Sequence, residues 1–175
     1  MTVVLETARL IARDWEPSDE DAAAAIYAQP EVMQYIPGGT WDRARTRLII
    51  ARMRELAAVQ GFGFYPLVHK ESGGLAGHAG LGYLEGGAEI EVAYILDVPF
   101  WGQGLATEAA RALLVDGIER LALRRIVAVA FRENVKSVAV MERCGMTFCG
   151  TARHFGREVI KYEALTPSGG RSLHR

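Results

Sequence analysis

The sequence predicts a single α/β (α+β) domain with a mixed, mostly antiparallel sheet and helices on both of its faces. In the middle of the chain, strand-like runs alternate with glycine pairs at Gly73-Gly74 and Gly86-Gly87, a pattern typical of antiparallel hairpins joined by two-residue turns. A strand-like run at 90–96, a helical run and a β-branched run at 125–131 follow, which predicts a right-handed crossover between parallel strands. The chain has 175 residues, of which 50% are hydrophobic, so it can bury one sizeable core.

The first half of the chain is predicted to form one strand, two helices and three hairpin strands. An apolar-rich run at 8–13 predicts the first strand. A helix begins near Ser18 and ends before Pro30. A second helix begins at Trp41-Asp42 and ends at Gly61, the residue type most often found just past a helix. The three hairpin strands are predicted at 62–68, 75–84 and 89–96.

The second half is predicted to form two helices and three further strands. Apolar residues recur at helical spacing from Leu105 onwards, which indicates a long amphipathic helix. Asn134 starts another helix, and Gly145 ends it. Strands are predicted at 125–131, 146–152 and 158–165, which makes about seven in the sheet. The domain therefore spans 1–166, and the polar residues 167–175 are predicted to be a flexible tail.

Composition excludes several classes of protein. The net charge of −1 and the pI of about 6.4 give no sign of nucleic-acid or membrane binding. No apolar run reaches the roughly 18 residues needed to span a bilayer. Cys144 and Cys149 fit neither a disulfide framework nor a metal site, so we expect a cytoplasmic protein without a metal.

The most informative segment is the glycine turn that opens the long helix. The backbone N–H groups at such a helix start have no partner inside the helix and, with the helix dipole, favour a phosphate group. The turn reads Trp101-Gly102-Gln103-Gly104-Leu105-Ala106-Thr107.

Three interpretations of this turn remain open from its residues alone. It is a coenzyme A pyrophosphate turn, a plain helix entry, or a dinucleotide fingerprint with Thr107 in the third glycine position and Glu133 as the later acid. Against the fingerprint, the residues from Asp97 to Trp101 separate the strand from the first glycine, and too little chain follows for a substrate domain.

Four segments, in order, resemble one known family. Residues 6–13 resemble its opening strand, residues 31–35 its "PEVMRY" segment, and residues 134–146 its N-x-x-S-x-x-V-x-E-K-x-G-F motif. Residues 101–109 resemble W-G-x-G-x-A-T-E-A. Nearly the whole chain thus resembles the GNAT superfamily of N-acetyltransferases, and within it the ribosomal-protein N-terminal alanine acetyltransferases. Trp101 stands where the wider family has Arg or Gln.

The resemblance implies a GNAT fold with a splayed central strand pair, and acetyl-CoA as cosubstrate. In that family the splayed strand pairs with the pantetheine arm, a backbone N–H near Ile95 faces the thioester oxygen, and the turn amides hold the pyrophosphate. The residues implied to bind acetyl-CoA are Tyr94, Ile95, Leu96, Trp101, Gly102, Gln103, Gly104, Leu105, Ala106, Thr107, Asn134 and Ser137.

The catalytic residues implied by the resemblance are Ser137 and Glu91. The family's usual acid, a tyrosine seven residues after the asparagine, is replaced by Met141, so Ser137 is predicted to serve the leaving thiolate, directly or through water. Glu91 is predicted to accept the amine proton through water, and the alternative is a structural glutamate paired with an arginine. Weaker candidates for the base are Glu89, Glu158 and His78.

The sequence therefore predicts an N-acetyltransferase that moves the acetyl group of acetyl-CoA to a primary amine by direct attack on the thioester. The acceptor is a protein or peptide N-terminus or a small-molecule amine. Two alternatives remain open, namely a non-catalytic acyl-CoA-binding module and a nucleotide-dependent oxidoreductase. Pairing of two chains into a homodimer through the C-terminal strands also remains open.

Overall fold

A computed structural model describes residues 2–166, and within them the chain forms one sheet of eight strands. The spatial order is β1-β2-β3-β4-β5-β6-β8-β7, and every neighbouring pair is antiparallel except β5 and β6. The predicted parallel crossover is thereby confirmed. The strands are β1 Val3–Glu6, β2 Leu10–Arg13, β3 Phe64–His69, β4 Leu75–Tyr83, β5 Ile90–Leu96, β6 Arg125–Ala130, β7 Thr147–His154 and β8 Arg157–Leu165.

The described part of the chain has five α-helices, most of which begin and end at the predicted signals. Asp42 caps the third helix through its side chain, and Gly61 ends that helix in the left-handed conformation, with φ 76°. Asn134 caps the fifth helix, since its side chain accepts from the Ser137 N–H. The helices are α1 Asp19–Tyr27, α2 Pro30–Met33, α3 Arg43–Gln60, α4 Leu105–Glu119 and α5 Val135–Arg143.

Three details of the predicted fold were wrong. The sheet has an additional edge strand, Val3–Glu6, and a short helix, Pro30–Met33, follows α1 directly. The loops after β3 and β4 are longer than two-residue turns, and the loop after β4 contains a 3₁₀ turn at Leu84–Gly86. The predicted tail, 167–175, lies outside the described residues.

Side chains alternate between the two faces of the sheet, and this alternation decides which face each site residue occupies. Among the described residues, one hydrophobic cluster contains Val92 and Leu96 of β5 together with the buried face of α4. The other cluster contains Ile95 of β5 together with residues of α1 and α3. Glu91, in phase with Ile95, therefore lies on the α1/α3 face.

His78 is a buried titratable residue of β4 whose side chain contacts α1. Its Nδ1 lies 2.6 Å from the hydroxyl of Tyr27, and burial lowers the pKa of His78 to about 4. A histidine that stays neutral in the folded protein but is protonated in the unfolded chain makes the unfolded chain bind more protons.

We therefore expect the unfolding free energy to fall as the pH is lowered from about 6.5 to about 4, by on the order of 2 kcal/mol. Urea unfolding of the wild type and of His78→Asn across this range measures the effect. The variant is expected to show the weaker pH dependence. Equal pH dependence in the two proteins would assign the acid sensitivity to other groups.

Candidate functional site

The central parallel strands separate as they run toward their carboxyl ends. Within residues 2–166, the one register pair that joins β5 to β6 is Glu91 with Val127. β5 continues beyond this pair to Leu96, and β6 continues to Ala130. The two strands thus leave a gap between their carboxyl-terminal halves, which is the predicted splayed pair.

The register of β5 against β4 determines which backbone groups face this gap. The Asp97 N–H donates to the Ala76 carbonyl at 2.9 Å, and the β4–β5 register shows no shift from Leu96 back to Ile90. Since antiparallel pairing alternates, odd-numbered residues of β5 bond to β4, whereas Tyr94 and Leu96 direct their N–H groups toward the gap. The N–H of Ile95 itself therefore points toward β4, and the backbone N–H groups near Ile95 that face the gap are those of Tyr94 and Leu96.

The glycine turn lies just beyond the gap, at the start of α4. Gly102 and Gly104 are both left-handed, with φ 73° and 78°, a conformation that favours glycine. No N–H from Gly102 to Thr107 donates to a protein acceptor within the described residues, although the α4 amide of Glu108 bonds to the Gly104 carbonyl. The turn therefore presents a run of unpaired amides at the positive end of a helix of 15 residues.

Residues near the N-terminus hold this turn in place, which the motifs had not indicated. The Glu108 carboxylate accepts from the Thr7 hydroxyl at 2.6 Å, the Arg9 N–H at 2.8 Å and the Arg9 Nε at 2.7 Å. The Arg9 guanidinium also donates to the Gln103 carbonyl at 2.9 Å. The β1–β2 loop is thus tied to both sides of the turn.

The remaining turn residues differ in what they present. Leu105 is fully buried, so only its backbone is available to a ligand. Ala106 is partly buried and packs against the hydrophobic cluster that contains the buried face of α4. The Thr107 hydroxyl is buried without a hydrogen-bond partner in the part of the chain that is described.

An open groove of about 1110 Å³ begins at Gly102 and Gly104 and follows α4 past Arg111.

Ser137 and Tyr94 meet across the gap on the α4/α5 face. The Tyr94 hydroxyl lies 3.0 Å from Ser137 Oγ, and burial raises the pKa of Tyr94 to about 12, so the phenol keeps its proton at neutral pH. The Asn134 side chain accepts from the Ser137 N–H at 3.2 Å. Met141 is 2% exposed within the core and supplies no proton donor.

Glu91 lies on the opposite face of β5, beside the point where the strands separate. No arginine, lysine or other hydrogen-bond partner contacts its carboxylate within residues 2–166, so the structural ion pair considered for it is not formed. Burial, together with the nearby charge of Glu85, raises the pKa of Glu91 to about 7. A carboxyl group with this pKa is half ionised near neutrality, the condition that suits a general base.

The other candidates for the general base already have ion-pair or hydrogen-bond partners. Glu89 forms ion pairs with Arg125 and with Lys161, and these contacts lower its pKa despite partial burial. Glu158 is exposed and pairs with Arg132 at 3.6 Å. His78 is bonded to Tyr27 in the core.

Other kinds of chemistry find little support in the described residues. They contain no group of three or more His, Cys, Asp or Glu arranged to hold a metal ion. Cys144 and Cys149 are free, and burial raises the pKa of the Cys144 thiol, which disfavours a thiolate nucleophile. None of the helices described in the structure is both long enough and apolar enough to span a bilayer.

Comparisons with known proteins agree with this geometry. A family model described as Acetyltransferase (GNAT) domain matches residues 9–147. The chain is 28% identical over 142 residues to the uncharacterized N-acetyltransferase YnaD of Bacillus subtilis (strain 168), and the match covers 81% of each protein.

Solved structures share the fold over almost its whole length. The acetyltransferase from Agrobacterium tumefaciens str. C58 matches with a TM-score of 0.81 and 28% identity, over 93% of this chain and 94% of that one. The ribosomal-protein-S5-alanine acetyltransferase from Vibrio fischeri matches with a TM-score of 0.77 over 93% and 96% of the two chains. Its identity is 17%, so this second likeness concerns the fold alone.

Proposed function

Because the chain belongs to the GNAT acetyltransferase family, we propose that it holds acetyl-CoA along the turn and the β5–β6 gap and transfers the acetyl group to an amine that approaches Glu91. The predicted GNAT family, fold class and acyltransferase activity, with acetyl-CoA as cosubstrate, are thereby confirmed. The oxidoreductase alternative is therefore not retained.

The run of unpaired amides from Gly102 to Thr107 is the observation that carries the proposal. Backbone donors at a helix start match a pyrophosphate in geometry and in charge. The groove along α4 has room for the nucleotide end of the cosubstrate. In the proposed complex, the gap-facing Tyr94 and Leu96 amides bond the pantetheine arm as an added strand would. The Asn134 Nδ2, which donates to no acceptor within residues 2–166, bonds the same arm.

In the reaction, the neutral amine attacks the thioester carbon and negative charge develops on the carbonyl oxygen. A gap-facing N–H of Tyr94 or Leu96 is positioned to stabilise that oxygen. The Trp101 indole N–H donates to the Leu96 carbonyl at 2.8 Å, which fixes the end of β5. The attacking nitrogen loses its surplus proton to water, the carbon–sulfur bond breaks, and the CoA thiolate leaves on the side of Ser137.

Glu91 acts from the opposite face as the general base, through a water molecule. No cation in the described residues pairs with its carboxylate, and its pKa is near neutrality, so it can accept the proton of the incoming ammonium. Base and acid thus lie on the two faces of one strand. This arrangement lets the amine enter from the α1/α3 face while the thiolate remains on the α4/α5 face.

Ser137 passes a proton from a neighbouring water molecule to the leaving thiolate, so that its own hydroxyl is restored, and Tyr94 positions it. Either hydroxyl can donate in the hydrogen bond between Tyr94 and Ser137 Oγ, and the arrangement in which the protonated phenol donates leaves the serine hydroxyl hydrogen free for the sulfur. A thiolate with a pKa of about 8.5 leaves with little assistance, so the contribution of this pair is modest.

Ser137→Ala and Tyr94→Phe are each expected to lower kcat about tenfold, with little change in KM for acetyl-CoA. The double variant is expected to lose no more than the larger single loss, because both side chains serve one proton transfer. Steady-state thiol release measures all three proteins. Losses that multiply in the double variant would refute the shared role.

The acceptor is a peptide or protein N-terminus or a small-molecule amine, and the reaction takes place in the cytoplasm without a nucleic-acid or membrane partner. The Tyr35 hydroxyl donates to the Glu133 carbonyl at 3.2 Å and so bridges the loop after α2 to the loop before α5. A homodimer formed through the C-terminal strands remains part of the proposal.

Thiol release from acetyl-CoA in the presence of peptides with free N-termini and of small primary amines tests the function. Acetyl transfer to one of these amines, identified by mass spectrometry, is the expected result. Tight binding of acetyl-CoA without transfer to any amine would favour the non-catalytic binding module instead.

A further inference from the structure

Lys136 lies against the turn in a position that family motifs do not specify. It is in the first turn of α5, and its Nζ lies 4.2 Å from the centre of the Trp101 ring. This is the distance of a cation–π contact, which holds an ammonium group over an aromatic face. Trp101 directly precedes Gly102, so the charge is held at the edge of the unpaired amides.

The charge of Lys136 has no carboxylate counterpart in the described part of the chain. Of the three lysines in the chain, Lys70 pairs with Glu6 at 2.7 Å and Lys161 pairs with Glu89. No carboxylate pairs with Lys136 anywhere in residues 2–166. The nearest acid in sequence, Glu133, pairs instead with Arg157 at 3.6 Å.

The position of Lys136 is also unfavourable for the helix that carries it. A cation in the first turn of a helix opposes the helix dipole, and the first turn of α5, which is fully described, contains no acidic residue. The start of α4 adds a second positive helix end beside the same tryptophan. The charge of Lys136 and the positive N-terminal ends of α4 and α5 therefore all lie beside Trp101. Three sources of positive potential at one position are the arrangement expected of an anion-binding site.

Trp101 cannot supply the polar contact that an arginine or glutamine would supply at its position. Its one donor, the indole N–H, is used by the Leu96 carbonyl. Its exposed ring face instead supports the lysine.

We propose that Lys136, held on the face of Trp101, is the cationic ligand of the CoA diphosphate and makes the enzyme select diphosphate-bearing thioesters. This inference rests on the proposed binding of acetyl-CoA at the glycine turn. Trp101 is then a positioning residue for Lys136. The charge that an Arg at residue 101 would bring to the turn comes from α5 instead.

The test compares Lys136→Met, which keeps the stem and removes the charge, with Lys136→Arg, which keeps the charge. Calorimetry measures the affinity for acetyl-CoA and acetyl-dephospho-CoA, and ligand-observed NMR measures that for S-acetylpantetheine, which has no diphosphate. We expect Lys136→Met to weaken binding of both nucleotide thioesters about tenfold, the effect of one charge-assisted contact, and to leave S-acetylpantetheine unchanged. Lys136→Arg is expected to retain most of the affinity.

Trp101→Leu, which removes the ring face under Lys136, provides an independent check. The variant also loses the indole bond to the Leu96 carbonyl, so we expect the two nucleotide thioesters to lose more affinity than S-acetylpantetheine does. Combination with Lys136→Met should add little to this difference.

Other outcomes would overturn the inference in distinguishable ways. A loss confined to acetyl-CoA would assign Lys136 to the 3′-phosphate, and an equal loss for all three ligands would indicate a structural role. Unchanged affinities would show that the amides suffice. If the wild type binds the thioesters and both Lys136 variants bind them with the same affinity, acetyl-CoA binding stands and Lys136 has no part in it. If the wild type binds none of the thioesters, the proposed function itself fails.

Discussion

Gly104→Glu is expected to abolish acetyl-CoA binding, with an affinity loss of more than about 100-fold. The new carboxylate would stand among the amides that are placed to bind the pyrophosphate, and the two negative charges repel each other. A side chain at this position also meets the Arg9 guanidinium, whose Nη2 lies 3.8 Å from where a Cβ would be. Calorimetric titration with acetyl-CoA measures the loss.

Two control variants separate charge from backbone strain, because Gly104 is left-handed. Gly104→Ala introduces the strain without the charge and is expected to cost a smaller part of the affinity. Gly145→Glu places a carboxylate at a left-handed glycine that ends α5 and has nothing within 4 Å of its would-be Cβ. Retained binding in Gly104→Glu would contradict the assignment of the turn to the pyrophosphate.

Glu91→Gln is expected to lower kcat about 10²–10⁴-fold, the usual contribution of a general base, while acetyl-CoA affinity changes little. In the wild type, the rate is expected to fall as the pH drops below about 7, because the carboxylate is then protonated. The variant loses this limb of the pH profile, whereas the limb that belongs to the acceptor amine remains. Glu158→Gln, at an exposed and ion-paired glutamate, is the matched control and is expected to keep both limbs.

The raised pKa of Glu91 also affects stability. Its effect on the pH dependence of the unfolding free energy is opposite in sign to that of an ion-paired carboxylate, whose pKa is lowered. The pKa of Glu91 is raised from 4.5 to about 7 in the folded protein, so the folded state binds more protons between these values. Its contribution is present below pH 4.5 and is lost as the pH rises through 7. Glu91→Gln should therefore raise the midpoint of thermal unfolding at pH 8 and leave it unchanged at pH 4. A variant that is less stable at pH 8 would show that Glu91 has a favourable partner.

Helix ends that carry a characteristic capping residue could be predicted from the sequence. Gly61 and Asn134 mark helix ends through their own backbone or side-chain chemistry, and both have the predicted roles. β1 was missed because both ends of this four-residue edge strand are exposed and its sequence shows no alternating pattern. α2 was missed because its four residues are too few to show helical periodicity.

In the site, the motifs predicted the turn, but contacts between distant residues could not be predicted from them. The bond between Tyr94 and Ser137 joins residues 43 positions apart, and the contact of Arg9 with Glu108 joins residues 99 positions apart. Side-chain packing after folding decides such contacts. The choice between Glu89 and Glu91 is of the same kind, because Lys161 and Arg125 could have paired with either glutamate and the fold directs both to Glu89.

The central claim is that the glycine turn and the gap beside it bind acetyl-CoA, and one calorimetric experiment tests it most directly. The wild-type protein is titrated with acetyl-CoA, with NAD as the comparison ligand. Binding of acetyl-CoA in the micromolar range together with no binding of NAD is the predicted result. Absence of acetyl-CoA binding would contradict the claim, since it would mean that the amides from Gly102 to Thr107 do not hold this cosubstrate.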